Sequence, residues 1–238
     1  MIDFATVRGH RAPGANPARW KGHLDQVLPA ARAMAPIAHH AAMDYRAVPA
    51  FLAELRQREQ GVAARALEFL ITTAARTGEV TGAVWDEIDL GAKTWAIPAD
   101  RMKARREHRI PLSATALDLL RALPRENGNS HVFIGLRAGA GLSKMALSTV
   151  MERMGQAGLT TVHGFRSSFS TWCHERTSHS AHTIEISLAH NVGTEVERAY
   201  RRTDMIAKRR QLMEQWSRYC TSPPAKIAGE IVTLRGAS

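Results

Sequence analysis

The chain is poor in cysteine, in aromatic residues and in acid. Two cysteines in 238 residues, Cys173 and Cys220, cannot build a disulfide framework. Each falls where a helix would turn its apolar side, so both are expected as reduced core residues of a cytosolic protein. Aromatics make up only 6%, which suits a helical core of Ala and Leu better than an all-β one. Long apolar runs are also missing. The longest, around Phe69–Ala75, is too short and too mixed to cross a bilayer. Residues 1–25 hold no apolar stretch of the signal-peptide kind, so no secretory leader is expected. Acidic residues number 22 against 32 lysines and arginines, a net charge of +10. That balance points to polyanionic partners, nucleic acid first.

The basic residues are clustered. Arg101, Lys103, Arg105, Arg106 and Arg109 share one stretch, with Glu107 as their only counter-charge. Arg198, Arg201, Arg202, Lys208, Arg209 and Arg210 share another, with Asp204 alone inside it. Hydrophobic residues at 45% are enough for a real core, and the length suits one ordinary domain plus extra segments.

Residues 1–40 read as a separate small piece. Arg8, Gly9, Pro13 and Gly14 mark a loop; Asn16-Pro17 reads as an N-cap with proline at the first helical position, predicting a helix to about Leu28. The His39-His40 pair has no further ligands at zinc spacing, so no metal is expected there. Residues 47–75 read as two helices, with Leu67, Leu70, Ile71 and Ala74 at helical spacing in the second. Arg76-Thr77-Gly78 ends that helix and the chain restarts at Glu79.

Alternation then predicts strands at Val84–Leu90, Thr94–Pro98 and His108–Leu112, a small antiparallel sheet with one covered face. From Ser113 onward the pattern is helical. Ser113 reads as the cap of a helix over 114–122, and Ser143 as another before Leu147, Val150, Met151 and Met154. Phe165, Phe169, Trp172 and Cys173 form one stripe; Ile206, Met213, Trp216 and Cys220 form the last, stopped by Pro223-Pro224. The fold class is mainly α with a small antiparallel three-stranded β-sheet.

Six polar residues stand out for their chemistry. His163 and Arg166, three apart on a helix opposite Phe165 and Phe169, would project together as an oxyanion grip. A bland surface pair is the alternative. Arg76 sits at a helix break, where a C-terminal capping cation is equally possible, and Glu79 reads as a brace near the next N-terminus. Lys103 lies in a hairpin turn among charges that could merely position phosphates. Tyr200, between cations, could be a nucleophile if a nearby base activates it, or a core tyrosine of an amphipathic helix. His190 precedes a short loop at 191–193. Other signals fall away. His174-Glu175 with His179 has the wrong spacing for a zinc protease helix, Gly139 and Gly141 near Lys144 lack a phosphate-loop Gly-Lys, and carboxylates do not cluster as two-metal chemistry needs.

Taken in order, these segments resemble the boxes of a known family. Ala75-Arg76-Thr77-Gly78-Glu79-Val80, followed by Trp85-Asp86-Glu87-Ile88-Asp89-Leu90, resembles the first arginine box of the tyrosine recombinases, in particular the phage and genomic-island integrases. Ile97-Pro98, Arg101-Met102-Lys103 and His108-Arg109-Ile110-Pro111-Leu112-Ser113 resemble the lysine hairpin. His163-Gly-Phe-Arg166 is similar to the second box, and Leu188-Ala189-His190 and Ala199-Tyr200 to the third-box histidine and the nucleophile. The likeness covers roughly residues 40–220.

The resemblance implies a site-specific recombinase or integrase that cuts and rejoins DNA through a 3′-phosphotyrosine intermediate. Tyr200 would be the nucleophile, Arg76 and Arg166 would hold the non-bridging oxygens, and Lys103 would protonate the leaving 5′-oxygen. His163 would assist proton transfer at Tyr200, and His190 would hydrogen-bond the phosphate. Arg101, Arg105, Arg106, Arg201 and Arg202 would bind DNA. No cofactor or metal is implied, because protein cations take the metal's place. The partners implied are double-stranded DNA at attachment sites and further copies of the chain, with exchange of a C-terminal tail; no membrane is involved, and the setting is cytoplasmic, at the nucleoid. Members usually carry an arm-binding domain and a full core-binding domain. Here residues 1–40 read as a remnant of the core-binding domain and linker, 41–222 as the catalytic domain and 223–238 as the tail, so N-terminal truncation is expected. A catalytically idle DNA-binding remnant and a topoisomerase-like relaxing enzyme are the alternatives.

Overall fold

The computed structural model describes residues 2–28, 41–190 and 204–223. It divides into two units, Met1–His39 and His40–Ser238.

In the first unit a short helix α1 (Ile2–Val7) precedes a loop, a loose helical segment at Trp20–Leu24 and a single turn α2 (Asp25–Val27). The continuous helix expected over 16–28 does not form. Asn16 Oδ1 does accept the Ala18 N–H at 2.9 Å. The turn it starts is lost because Lys21 is extended (ψ 121) and Gly22 takes φ 78, a conformation open to glycine at little cost.

The second unit is built on helices α3 (Val48–Arg58) and α4 (Val62–Thr73). Leu67, Leu70 and Ile71 of α4 are fully buried, each worth roughly 1.5–3 kcal/mol of apolar transfer. Helix α4 stops at Ala74, which adopts the left-handed conformation with φ 50. The next helix, α5 (Thr77–Thr81), starts two residues before the predicted restart at Glu79, with Arg76 at its cap position.

The sheet follows in the order β1 (Ile88–Asp89), β2 (Thr94–Ile97), β3 (His108–Pro111), all antiparallel. Trp95 pairs with Ile110 and Ile97 with His108, and the face carrying Trp95, Ile97, Ile110 and Leu112 is buried. Only the end of the predicted strand Val84–Leu90 is extended and paired as β1. Trp85–Glu87 takes a 3-10 turn instead, where the Glu87 carboxylate accepts the Trp95 indole N–H at 2.9 Å.

Helices α6 (Ala114–Arg121), α7 (Ala146–Arg153), α8 (Gly164–Arg176), α9 (Ala181–Ser187) and α10 (Ile206–Thr221) complete the unit. Ser113 caps α6 as predicted, its hydroxyl accepting the Ala116 N–H at 3.2 Å. Ser143 does not cap α7 with its side chain; its backbone carbonyl receives the Ala146 N–H instead, at 3.1 Å. Helix α10 packs against α3, α4 and β3. Its anchor is Trp216, whose ring meets Phe169 and Trp172 at 5.5 and 5.1 Å and whose N–H reaches the Ile71 carbonyl at 2.7 Å. Cys173 and Cys220 are buried and free. Among the described residues, no helix is long and apolar enough to cross a membrane.

Candidate active site

Three of the six polar residues meet at the carboxyl end of α9. That helix closes in a Schellman arrangement: the His190 N–H bonds to the Glu185 carbonyl at 3.0 Å and the Ala189 N–H to the Ile186 carbonyl at 3.0 Å. Ala189 pays for the reversal with φ 49. The turn aims the carbonyls of Leu188 and Ala189 toward the start of α5 and toward α8, and brings the His190 ring back beside Glu185.

Arg76 reaches these carbonyls from the start of α5. Its Nη2 donates to Leu188 O at 3.2 Å and Ala189 O at 3.3 Å, and its Nη1 to Glu79 Oε1 at 2.7 Å. The other oxygen of Glu79 accepts the Arg76 backbone N–H at 2.8 Å. Glu79, buried near the helix start, is thus the brace that its position suggested.

Arg166 reaches the same turn from α8. Its Nη2 donates to Leu188 O and its Nη1 to Ala74 O, the carbonyl of the left-handed residue that ends α4. Its Nη2 also lies 3.4 Å from His190 Nε2. Arg166 is only 5% exposed, a correction to the expectation that it projects outward beside His163. Its charge sits where two helix ends present unpaired carbonyls, the negative ends of two dipoles. Burial, and next the neighbouring Arg76, pull its guanidinium down to about 10, which leaves it charged at neutral pH.

Each guanidinium has five N–H groups. The protein acceptors bond to both terminal nitrogens of each guanidinium, and the remaining N–H groups, those on Nε included, can serve a shared oxyanion. His190 completes the group. Its Nδ1 lies 2.7 Å from Glu185 Oε2. A proton on Nδ1 shared with Glu185 orients the ring and leaves Nε2 directed to Arg166.

The other expected residues are placed differently. His163 is exposed, immediately before α8, with its carbonyl accepting the Arg166 N–H at 3.1 Å. Lys103, Arg105 and Arg106 are exposed on the loop between β2 and β3. Arg101, expected among the exposed phosphate contacts, turns inward: it pairs with buried Glu87 and donates to Glu79 O at 2.7 Å and Gly78 O at 3.4 Å. Gly82 leaves the room it needs, since a Cβ there would stand 2.8 Å from Arg101 Nη2. The pull toward Glu87 outweighs solvent because the carboxylate is already buried and needs a cation. Tyr200, Arg201, Arg202 and the tail over 224–238 lie outside the described residues. Among the described residues, no three His, Cys, Asp or Glu side chains are grouped to hold a metal ion.

Two members of the site carry no role in the sequence reading. Glu185 lies five residues before His190, a spacing that brings side chains together only after a Schellman turn. His108 is visible in principle, because alternation puts it on the same strand face as Ile110 and Leu112. It is 8% exposed. Burial, then Arg209, Arg76 and Arg166, hold it down to about 3, so it is uncharged at neutral pH. Arg209 of α10 is itself buried at 1% exposure and donates to Asp204 O at 3.3 Å.

In sequence and fold the chain is similar to known proteins. The model of the phage integrase family fits residues 42–206. Prophage integrase IntZ of Escherichia coli K12 is 34% identical over 195 residues, covering 82% of this chain and 47% of that protein. Prophage integrase IntA of the same organism is 36% identical over 149 residues, covering 62% of this chain and 36% of the relative. The chain therefore spans less than half the length of these two relatives. Among solved structures, the integrase from mycobacterium phage Brujita superposes with a TM-score of 0.57 at 20% identity, over 90% of this chain and 67% of that one. A lambda integrase tetramer bound to a Holliday junction gives 0.55 at 17% identity, over 82% and 56%. With the family model spanning residues 42–206 and the arginine pair and histidine set within that span, the chain belongs to the phage integrase family and carries the fold of a tyrosine recombinase catalytic domain.

Proposed function

We propose that this chain cuts and rejoins double-stranded DNA at specific sites, with Tyr200 forming a 3′-phosphotyrosine link. The observation that carries the reading is the convergence of Arg76 and Arg166 on the Leu188 carbonyl. Two guanidiniums held by one backbone turn, with donors to spare, are a preorganised seat for the non-bridging oxygens of one phosphodiester. Such electrostatic preorganisation is often the largest catalytic contribution. In the reaction Tyr200 Oη attacks phosphorus, the bond to the 5′-oxygen breaks, and the leaving oxygen takes a proton from Lys103. His163 takes the proton of Tyr200. His190, steered by Glu185, hydrogen-bonds the phosphate. Rejoining reverses these steps with a 5′-hydroxyl as nucleophile. Arg105, Arg106, Arg201 and Arg202 contribute charge along the backbone of the DNA, a contribution weakened by salt; Arg101 supports the loop from inside. The setting is nucleoid DNA in the cytoplasm, with residues 41–222 as the catalytic domain.

The test is a suicide substrate: a nicked attachment-site duplex incubated with the protein and run on a denaturing gel. A shifted adduct is expected from the wild-type chain and none from Tyr200→Phe. No adduct at a site shown to bind would sink the catalytic reading and leave an idle DNA binder.

Self-association on DNA follows from the same reading, with apolar residues 226–234 passed to a neighbouring copy. Light scattering of the chain ended at Pro223 should show smaller assemblies on DNA. Unchanged assemblies would argue against exchange.

A further inference from the structure

Arg101 stands at the base of the loop between β2 and β3, two residues before Lys103. Its guanidinium is tied at both ends. Nη1 pairs with the Glu87 carboxylate, which also accepts the Trp95 indole N–H from β2. Nη2 donates to Glu79 O at 2.7 Å and to Gly78 O at 3.4 Å. Those carbonyls lie in the last turn of α5, where a helix lacks internal partners and a cation is favoured. Neutralising Glu87 needs only one end of the fork; the other end is given to α5.

The same helix carries Arg76 at its cap position, and Glu79 serves both arginines. The Glu79 carboxylate accepts from the Arg76 backbone N–H and Nη1, and the Glu79 carbonyl accepts from Arg101 Nη2. One residue thus joins the phosphate-holding arginine to the base of the loop. Beyond Arg101 the chain stays anchored for one more residue. Met102 is 3% exposed, and its carbonyl accepts the Arg105 N–H at 3.0 Å, closing a turn with Lys103 inside it. The Lys103 ammonium sits on a flexible stem that supplies no placement of its own, so its position is set by where this turn is held.

We infer that Arg101 is a positioning residue for proton delivery: by bonding the Glu79 and Gly78 carbonyls it holds the base of the loop, and with it Lys103, in register with Arg76. The inference rests on the proposed roles of Lys103 and Arg76.

The test compares Arg101→Lys with Gly82→Ala. Lysine keeps a cation for the buried Glu87 carboxylate, so the fold is retained, but a single ammonium cannot also hold both carbonyls. Alanine at 82 changes neither charge. Its Cβ would stand 2.8 Å from Arg101 Nη2 and 3.2 Å from Gly78 O, so it displaces the end of the fork that holds α5. Adduct formation is timed on saturating nicked attachment-site DNA with two leaving groups, the natural 5′-oxygen and a 5′-bridging sulfur. A thiolate is a weaker base than an alkoxide and leaves without a proton, so the sulfur substrate bypasses Lys103. On oxygen both variants are expected to slow by about tenfold or more with DNA affinity unchanged, as small misplacements in a reacting geometry do. On sulfur both are expected within about threefold of the wild type. A fold defect or a displaced Arg76 would slow both substrates alike, so equal slowing overturns the inference, as do wild-type rates on oxygen. Lys103→Ala is the control for the underlying reading: if sulfur does not rescue it, the acid is another group and the role given to Arg101 falls with that of Lys103. Should the wild type form no adduct on either substrate, the proposed function fails. Amide exchange at Arg105 then decides whether Arg101 holds the loop: exchange about tenfold faster in both variants supports the tie, and unchanged exchange removes it.

Discussion

Arg166→Lys is expected to bind attachment-site DNA nearly as well as the wild type and to form the covalent adduct about 10²–10³-fold more slowly, the usual loss when one donor to a developing oxyanion goes. The charge survives the change, so long-range attraction to DNA survives with it. The fork does not survive. Arg166 ties Ala74 O to Leu188 O with two different nitrogens and still faces His190. A lysine ammonium is a single point on a flexible stem and cannot hold both carbonyls and the phosphate. Single-turnover adduct formation, measured beside a binding isotherm, separates the two effects. A variant that cleaves at the wild-type rate would mean that charge alone suffices and that the double carbonyl grip has no catalytic role.

Glu87→Ala should be the most damaging single change to stability away from the aromatic core. The carboxylate is 6% exposed and pairs with Arg101, which is 22% exposed, and it also receives the Trp95 indole N–H. Removing it strands a cation and a donor, and breaking a buried pair from one side costs about 3–5 kcal/mol. For a chain of this size that lowers the thermal midpoint by roughly 6–20 °C. Adding Arg101→Ala to the same chain should recover part of the loss, since no unpaired cation remains; the double variant is the control. A midpoint within two or three degrees of wild type for Glu87→Ala would show that solvent reaches Arg101 freely and that the loop base is loose.

Much of this fold was legible because period and capping agree in it. The paired helices over 47–75, the strands at Thr94–Ile97 and His108–Pro111, the Ser113 cap and the stripe of Phe165, Phe169, Trp172 and Cys173 all follow from spacing. The misses share one cause: local pattern says nothing of what a side chain meets from far along the chain. Arg166 looked like a projecting residue because helical spacing cannot show the Ala74 and Leu188 carbonyls waiting for it. Arg101 looked like one more exposed cation in a basic loop because Glu87, fourteen positions earlier, cannot be assigned to it by period. The helix predicted over 16–28 failed at Gly22, whose freedom the Asn16 cap does not overrule. Of the ordered set, Arg76, Arg166 and His190 meet in the structure; Glu185 was legible only once the turn at Ala189 was known, whereas strand alternation already put His108 on the buried face.

Apart from the Glu79 carboxylate on Arg76, the acceptors that hold the two arginines are peptide carbonyls, those of Ala74, Leu188 and Ala189. No codon change can delete a carbonyl oxygen. Random substitution at these three positions therefore cannot remove the grip directly; it can only bend the chain that presents it. Tolerance at 74 and 189 is then governed by which residues accept the left-handed conformation, with glycine and asparagine favoured and β-branched residues excluded, while 188 is governed by the shape of the core. The carbonyl part of this grip is thus inherited as conformation at three positions, while Arg76, Arg166 and Glu79 are inherited as side-chain chemistry.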